Sequence, residues 1–321
     1  MQDQIIAITG ASSGIGAEIA VALARRGARL VLYGRNREGL QATAQRVASA
    51  TASTSGSNAR EASTSAGTAS TSGSSTGRAS TVRSGESAGR TASNASPPAE
   101  SQGSAAGAAD SGTERCRTYV LDVTSDEQVQ LAVEQAIADF GRIDVWINNA
   151  GYGVFKRLDE APLSDFTGMM DVNYMGTVRC TKAVLPHMRR AGRGQLVNVA
   201  SIAGKIGSAK STAYAASKHA VLGFTNSLRQ ELHGTGIVVT AVNPGPIDTP
   251  FFQQADPSGE YVNNIKAFML KPERVADAVV NAIDRRRTHV DLPWTMGFGA
   301  KLFALFPALF ERIAVKLLNK K

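Results

Sequence analysis

A short apolar run, Ile5-Ile6-Ala7-Ile8, leads straight into Thr9-Gly10-Ala11-Ser12-Ser13-Gly14-Ile15-Gly16. A helical pattern follows through Ile19, Leu23 and Arg26, and Gly27 closes it. Few folds accept that succession. A strand without polar alternation is buried on both faces. A glycine turn between such a strand and a helix suits a phosphate: Gly10 permits the tight turn, Gly14 lets a pyrophosphate approach the backbone, and Gly16 allows close helix packing. The helix N-terminus then offers free N–H groups to the anion.

The same alternation recurs along the chain. Strand patterns fall at 29–33, 117–122, 143–147, 195–199 and 237–242, with a short last one at 290–292. Helical patterns fall between them, at 37–49, 125–140, 165–175, 177–190, 211–232 and 272–286. Ser125 and Gln128 make a capping-box pattern for the third helix. Strands alternating with helices predict an α/β fold with a doubly wound parallel sheet. Ligands of such sheets lie at the carboxyl ends of the strands. Gly10, Arg35, Asp122, Asn149, Ser201 and Pro244 all fall there.

Within Ser211-Thr212-Ala213-Tyr214-Ala215-Ala216-Ser217-Lys218, Tyr214 and Lys218 are four residues apart, one turn along one helix face. A free phenol titrates near pH ~10, and a fixed ammonium beside it favours phenolate. A Tyr tuned in this way can pass a proton to a carbonyl oxygen or take one from an alcohol. Arg35 stands just past the second strand, where an acid would bind the adenosine ribose hydroxyls. A guanidinium attracts a 2′-phosphate, so Arg35 argues for NADP over NAD; the plainer reading is that it solvates a strand end.

Residues 50–113 change character. They are Ser, Thr, Ala and Gly with a few charges, Val82 is their single large aliphatic residue, and Ala-Ser-Thr-Ser recurs at Ala52, Ala62 and Ala69. Such a stretch cannot bury enough apolar surface to offset its ordering entropy, and it reads as a disordered insertion. The formal net charge of +8 raises the question of nucleic acid, but no basic block or basic–aromatic array supports it. Cys116 and Cys180 have no metal-type spacing, so we expect structural thiols in a reducing, cytoplasmic compartment and no metal. No secretory signal pattern opens the chain, and no apolar run reaches the ~18 residues of a spanning helix. The tail, 293–321, places Leu302, Phe306, Leu309, Ile313 and Leu317 at helical spacing, with Lys301, Arg312, Lys316 and Lys320 on another face and Pro307 as a break. Packing on the protein or on a second subunit is the favoured reading, and peripheral contact with an anionic membrane is the other.

Together, the glycine turn, Asn148-Asn149-Ala150-Gly151, Asn173, Ser201, Tyr214 with Lys218, and Pro244-Gly245-Pro246-Ile247-Asp248-Thr249 resemble the short-chain dehydrogenase/reductase family. The likeness covers residues 1–49 and about 115–292. It implies an NAD(P)-dependent oxidoreductase on a Rossmann-type sheet of order 3-2-1-4-5-6-7, one domain over 1–292 interrupted by the insertion. It further implies that Tyr214 is the general acid in reduction, that Lys218 lowers its pKa and holds the nicotinamide ribose, and that Ser201 hydrogen-bonds the substrate oxygen. Asn173 would hold a water in a relay through Lys218. The cofactor set would be Gly10, Ser12, Ser13, Gly14, Ile15, Gly16, Arg35, Asp122, Val123, Asn149, Ala150, Gly151, Tyr214, Lys218, Pro244, Gly245, Ile247 and Thr249. In that set Asp122 meets adenine, Asn149 lies by the adenosine ribose, and Ile247 and Thr249 position the carboxamide and phosphates.

Two departures matter. Ser13 stands where many NADP-using relatives carry a basic residue, so Arg35 carries the NADPH preference largely alone. The insertion is also outside the family pattern. A fainter likeness of residues 202–208 and the tail points to the branch that reduces steroids, retinoids and other lipid-like carbonyls. Tyr152, Phe155, Phe251, Phe252, Tyr261 and Phe268 suit a hydrophobic substrate and equally suit core or subunit contacts. Relatives are commonly dimers or tetramers, so a homo-oligomer is expected. Two functions are carried forward: a carbonyl reductase or alcohol dehydrogenase, and a non-catalytic NADP sensor that uses the insertion for partners.

Overall fold

The computed structural model describes residues 1–65, 112–113 and 115–307. The expectations for 66–111 and for the tail beyond residue 307 lie outside the described residues. In chain order the elements up to the middle of the sheet are β1 (Ile5–Thr9), α1 (Gly14–Arg25), β2 (Arg29–Gly34), α2 (Arg37–Ser65), β3 (Gly112–Thr113), β4 (Cys116–Val120), α3 (Asp126–Phe140) and β5 (Val145–Asn148). Then come α4 (Leu163–Met169), a π-helical stretch (Met170–Met175), α5 (Gly176–Ala191), β6 (Gly194–Val199), a 3₁₀ turn (Ile202–Gly204) and α6 (Thr212–Glu231). The chain continues through β7 (Ile237–Pro244), α7 (Phe251–Ala255), α8 (Glu260–Ile265), α9 (Pro272–Asp284), β8 (His289–Leu292) and α10 (Trp294–Leu305).

Seven strands run parallel in the order β4-β2-β1-β5-β6-β7-β8, which is the expected 3-2-1-4-5-6-7. An eighth, β3, adds antiparallel to the edge of β4. Two residues carry no periodicity, so it could not be read from sequence. The order reverses between β1 and β5, and the carboxyl edge at that switch point is where ligands of such sheets bind.

The core explains the unbroken apolar strands. On β1, Ile6 and Ile8 face one helical layer, packed with Ile19 and Leu23 of α1, Leu40 of α2, and Val279 and Ile283 of α9. Ile5 and Ala7 face the other, packed with Val133 of α3, Val184 and Met188 of α5, and Leu228 of α6. A strand between two helical layers has no solvent face and so no polar alternation.

Three features of the helices differ from the sequence reading. α2 continues past residue 49 to Ser65, because a Ser, Thr, Ala and Gly sequence with no apolar period carries no signal for where a helix ends. The two helices expected around 165–190 form one continuous element, with the π-helical stretch inside it. Gly176 keeps helical dihedrals there and is a close-packing glycine: an added Cβ would lie 2.7 Å from Val123 Cγ2. At α3, Ser125 Oγ accepts from Gln128 N at 3.2 Å, as a capping residue should, but Gln128 Oε1 takes the N–H of Asp122 rather than that of Ser125.

Gly223 contrasts with Gly176. It is exposed in the middle of α6, and nothing lies within 4 Å of an added Cβ. Gly223→Ala should therefore stabilise the fold by about 0.5–1 kcal/mol, by restricting the unfolded chain. Urea unfolding measures this, and a loss of stability would mean that the α6 surface is covered at that point.

Candidate active site

The glycine turn has the expected form. Gly10 and Gly14 adopt φ of +67° and +54°, in the left-handed region that glycine tolerates. An added Cβ on Gly16 would meet the Gly10 backbone and come within 2.6 Å of Asn149 Nδ2. Ser13 caps α1 in extended conformation but makes no side-chain capping hydrogen bond, which leaves the first-turn N–H groups, beginning at Gly14 and Ile15, to a ligand. Ser12 packs between Gly34 and Gly39, holding the turn against the end of β2. Thr249 lies across the turn, 3.8 Å from the position of a Gly14 Cβ.

β1 and β5 are tied at this edge. Thr9 Oγ1 donates to Ile147 O at 3.3 Å and accepts from Asn149 N and Ala150 N, each at 3.0 Å. Asn149 Nδ2 donates to Thr9 O at 3.0 Å and Gly10 O at 3.1 Å. Asn149 Oδ1 is buried with no hydrogen-bond partner among the described residues. Such a buried acceptor calls for a ligand donor. Nearby, Asp122 lies two residues beyond β4, and its Oδ1 accepts from Thr124 N and Thr124 Oγ1 in a tight turn. Val123 is buried against Gly176.

Arg35 follows β2 directly, is exposed, and makes no hydrogen bond or ion pair among the described residues. Its charge reaches the Tyr152 phenol. Burial and Asp165 raise the pKa of Tyr152, and Arg35 pulls it back. Tyr152 itself packs on Gly168 of α4, away from the aromatic residues with which the sequence grouped it.

The reacting groups meet past β6. Ser201 is buried, donates to Pro244 O at 3.3 Å and accepts from Ala203 N at 3.0 Å. Burial pushes the Tyr214 phenol up to about 12, against the Ser201 hydroxyl, which hydrogen-bonds it and pulls the other way. Lys218 is buried one turn on, donates to Val199 O at 2.9 Å, and sits 5.8 Å from the Tyr214 ring centroid. Burial lowers its own pKa from 10.5 to about 8. The expected depression of the phenol by the ammonium is therefore absent from this state. Both groups are desolvated, and burial is the leading cause of each shift.

Asn173, in the π-helical stretch, is buried and fully engaged. Its Nδ2 donates to Tyr152 O at 2.9 Å and Ser217 Oγ at 3.0 Å, and its Oδ1 accepts from Tyr152 N at 2.9 Å. Ser217 Oγ in turn donates to Tyr214 O at 2.8 Å. Asn173 thus links the Gly151–Tyr152 turn to the first turn of α6. Ser217 was missed as a link, although its place three residues after Tyr214 puts it on the same helix face. At the far end, Gly245 N donates to Leu292 O at 2.6 Å, Pro244 pairs with Leu292, and Ile247 bridges to Leu270.

Asp291 was also missed. Its Oδ1 accepts from Lys205 Nζ at 2.6 Å and from Asn243 Nδ2 at 2.8 Å, tying the loop after Ser201 to β8. Partners 86 residues apart leave no local sequence signal.

An aromatic wall stands beside the Tyr214 ring. Phe155 stacks on Tyr261 at 4.3 Å and meets Tyr214 edge-on at 5.6 Å, with Phe251 5.8 Å from Tyr214. Phe155 and Phe252 are buried, so these residues are a satellite core as well as a wall. Phe268 is apart from them and exposed. Cys116 and Cys180 are free and buried, with thiols pushed up to about 12 by burial. They are unreactive at neutral pH.

Comparison with known proteins agrees with this architecture. The sequence model of the short chain dehydrogenase family matches residues 4–66 and 79–259. An uncharacterised oxidoreductase of Staphylococcus saprophyticus is 30% identical over 292 residues, covering 91% of this chain and 95% of that protein. A 3-ketodihydrosphingosine reductase of Bacteroides thetaiotaomicron is 43% identical over 137 residues, covering 43% of this chain and 51% of that protein. Among solved structures, levodione reductase superposes with a TM-score of 0.66 at 26% identity, covering 91% of this chain and 96% of its own. With its sheet order, glycine turn and Ser201–Tyr214–Lys218 group, the chain belongs to the short-chain dehydrogenase family of oxidoreductases.

Proposed function

We propose that this protein is an NADP(H)-dependent oxidoreductase that interconverts a carbonyl and an alcohol on a hydrophobic substrate. The observation that carries the proposal is the meeting of the Ser201 and Tyr214 hydroxyls one helical turn from a buried Lys218, on the sheet edge that also holds an uncapped glycine-lined helix start. The residues fit a nicotinamide dinucleotide. The α1 turn would take the pyrophosphate, Asn149 Oδ1 would accept from the ribose side, and Arg35 is free to meet a 2′-phosphate. Ser12, Ser13, Asp122, Val123, Ala150, Gly151, Pro244, Gly245, Ile247 and Thr249 would complete the cradle.

When bound, the nicotinamide supplies or accepts the hydride. In reduction, the Tyr214 phenol gives its proton to the substrate oxygen, and the Ser201 hydroxyl donates a hydrogen bond to the same atom, stabilising its developing charge. Lys218 keeps a proton behind Tyr214. Asn173 and Ser217 hold the turn that aims the phenol. The aromatic wall favours a ketone on an apolar body, in keeping with the matched segment of a 3-ketodihydrosphingosine reductase.

The test is NADPH and NADH oxidation over a panel of aldehydes and ketones. Turnover of apolar ketones with NADPH is expected. Tight NADPH binding without turnover on any of them would point to a nucleotide sensor instead. Arg35→Ser should raise KM for NADPH about 10–100-fold, the worth of one charge-assisted hydrogen bond, with KM for NADH unchanged. An equal effect on both cofactors would remove Arg35 from 2′-phosphate recognition.

A further inference from the structure

α10 leaves an apolar stripe uncovered. Trp294, Phe298 and Leu305 are 72%, 55% and 70% exposed, and Phe306, just past the helix end, is 57% exposed. With Lys301, also exposed, the first three fall at i, i+4, i+7 and i+11, which is a single line along a helix. The sequence reading draws its apolar line through Leu302 and Phe306, with Lys301 on another face; Leu302 is half-buried, and the exposed line is this different one, which runs through Lys301. The opposite side of α10 is held firmly: Gly297 packs on Asp291, and Met296 Sδ lies 2.8 Å from the position of a Gly245 Cβ. The other exposed large apolar side chains, Leu158, Leu163 and Phe268 among them, form no such line on one helix.

We propose that this face of α10 docks on an anionic lipid bilayer, lying in the interface plane. The charge pattern selects that occupant. From Pro293 to the end, the chain carries Lys301, Arg312, Lys316, Lys320 and Lys321 against a single acid, Glu311. A basic segment with Trp, Phe and Leu on one line suits an interface where apolar groups enter the acyl boundary and ammonium groups meet lipid phosphates. A second copy fits less well, since two-fold pairing of the stripe would bring Lys301 towards its own equivalent. No helix among the described residues is long and apolar enough to cross a membrane. α10, with 12 residues, reaches about 18 Å against the ~30 Å of a bilayer core. Because α10 packs against the Ile202–Gly204 turn, docking would bring the Ser201 side of the carboxyl edge towards the lipid. The proposal stands apart from the assignment of the reaction.

The chain has two tryptophans, Trp146, fully buried, and Trp294, so emission changes on docking report on Trp294. Full-length protein would be sedimented with phosphatidylcholine vesicles, with and without phosphatidylglycerol, at low and high salt. Binding to the anionic vesicles that weakens in salt, a blue shift of Trp294, and its quenching by brominated lipid are the expected results. Trp294→Ser combined with Phe298→Ser should lower the partition coefficient about tenfold or more, although the basic tail is intact. A circular-dichroism melt checks that this variant is folded, and the quenching measurement needs no variant at all. Equal binding by the double variant, an unshifted and unquenched Trp294, or self-association that the double variant abolishes without any vesicle binding would each overturn the proposal.

Discussion

Tyr214→Phe is expected to cut kcat for carbonyl reduction by about 10²–10⁴-fold while leaving NADPH affinity and the melting temperature nearly unchanged. The ring stays, so its contacts with Phe155 at 5.6 Å and Phe251 at 5.8 Å survive, and the change removes one hydroxyl. Comparable losses in kcat and NADPH affinity would instead mean that Tyr214 shapes the cofactor site. The pH profile separates donor from reservoir. Burial holds the phenol up at about 12, so Tyr214 is protonated throughout the neutral range and is ready as an acid. Lys218, brought down to about 8 by burial, is the group that changes state near working pH. Reduction should therefore decline as pH rises through about 8, and Lys218→Met should abolish that break in whatever activity is left. The break surviving in Lys218→Met would assign it elsewhere.

The same two groups act oppositely on stability. Between about 8 and 10.5 the unfolded chain holds the Lys218 proton and the folded chain does not, so this lysine makes stability rise with pH across that window. Between 10 and about 12 the folded chain keeps the Tyr214 proton that the unfolded chain has lost, so this tyrosine makes stability fall. The site holds its acid and its reservoir by burial, at the expense of the charged lysine.

What was legible in the sequence was what local chemistry dictates. β1 with its glycine turn, the strand–helix alternation and the Tyr214–Lys218 spacing each follow from a few consecutive residues, and the sheet order came through the family resemblance. What was hidden depends on distant partners. The engagement of Asn173 with Tyr152 and Ser217, and the Lys205–Asp291 tie, exist only once the helices are stacked. The burial that raises the phenol's pKa was hidden for a related reason: spacing reveals a neighbouring charge, whereas desolvation depends on everything packed around the ring. Gly176 shows the limit from the other side, because a glycine that permits close approach and one that ends a helix look alike in sequence.

Trp146→Ala should be the most damaging change remote from the chemistry, lowering unfolding free energy by about 3–5 kcal/mol. That is a large share of the ~5–15 kcal/mol typical of a domain. Trp146 is fully buried on β5 and stacks on Tyr33 with centroids 5.5 Å apart. Its Nε1 also donates to Asn148 Oδ1 at 2.8 Å. Asn148 is itself buried and donates to Thr181 Oγ1 at 3.1 Å and Asn198 Oδ1 at 2.8 Å, joining β5 to α5 and β6. Trp146→Phe separates the two contributions. It keeps an aromatic ring against Tyr33 but leaves the Asn148 acceptor without its donor, which should cost about 1–3 kcal/mol. Because Asn149 and Ala150 follow directly and hold the glycine turn through Thr9, loosening Asn148 should also weaken NADPH binding. Urea midpoints with an unchanged m-value, measured with and without NADPH, test both parts. A midpoint shift in Trp146→Ala no larger than in Trp146→Phe would mean that the ring contributes little packing. Undiminished NADPH affinity in both variants would mean that the turn is held from the β1 side alone.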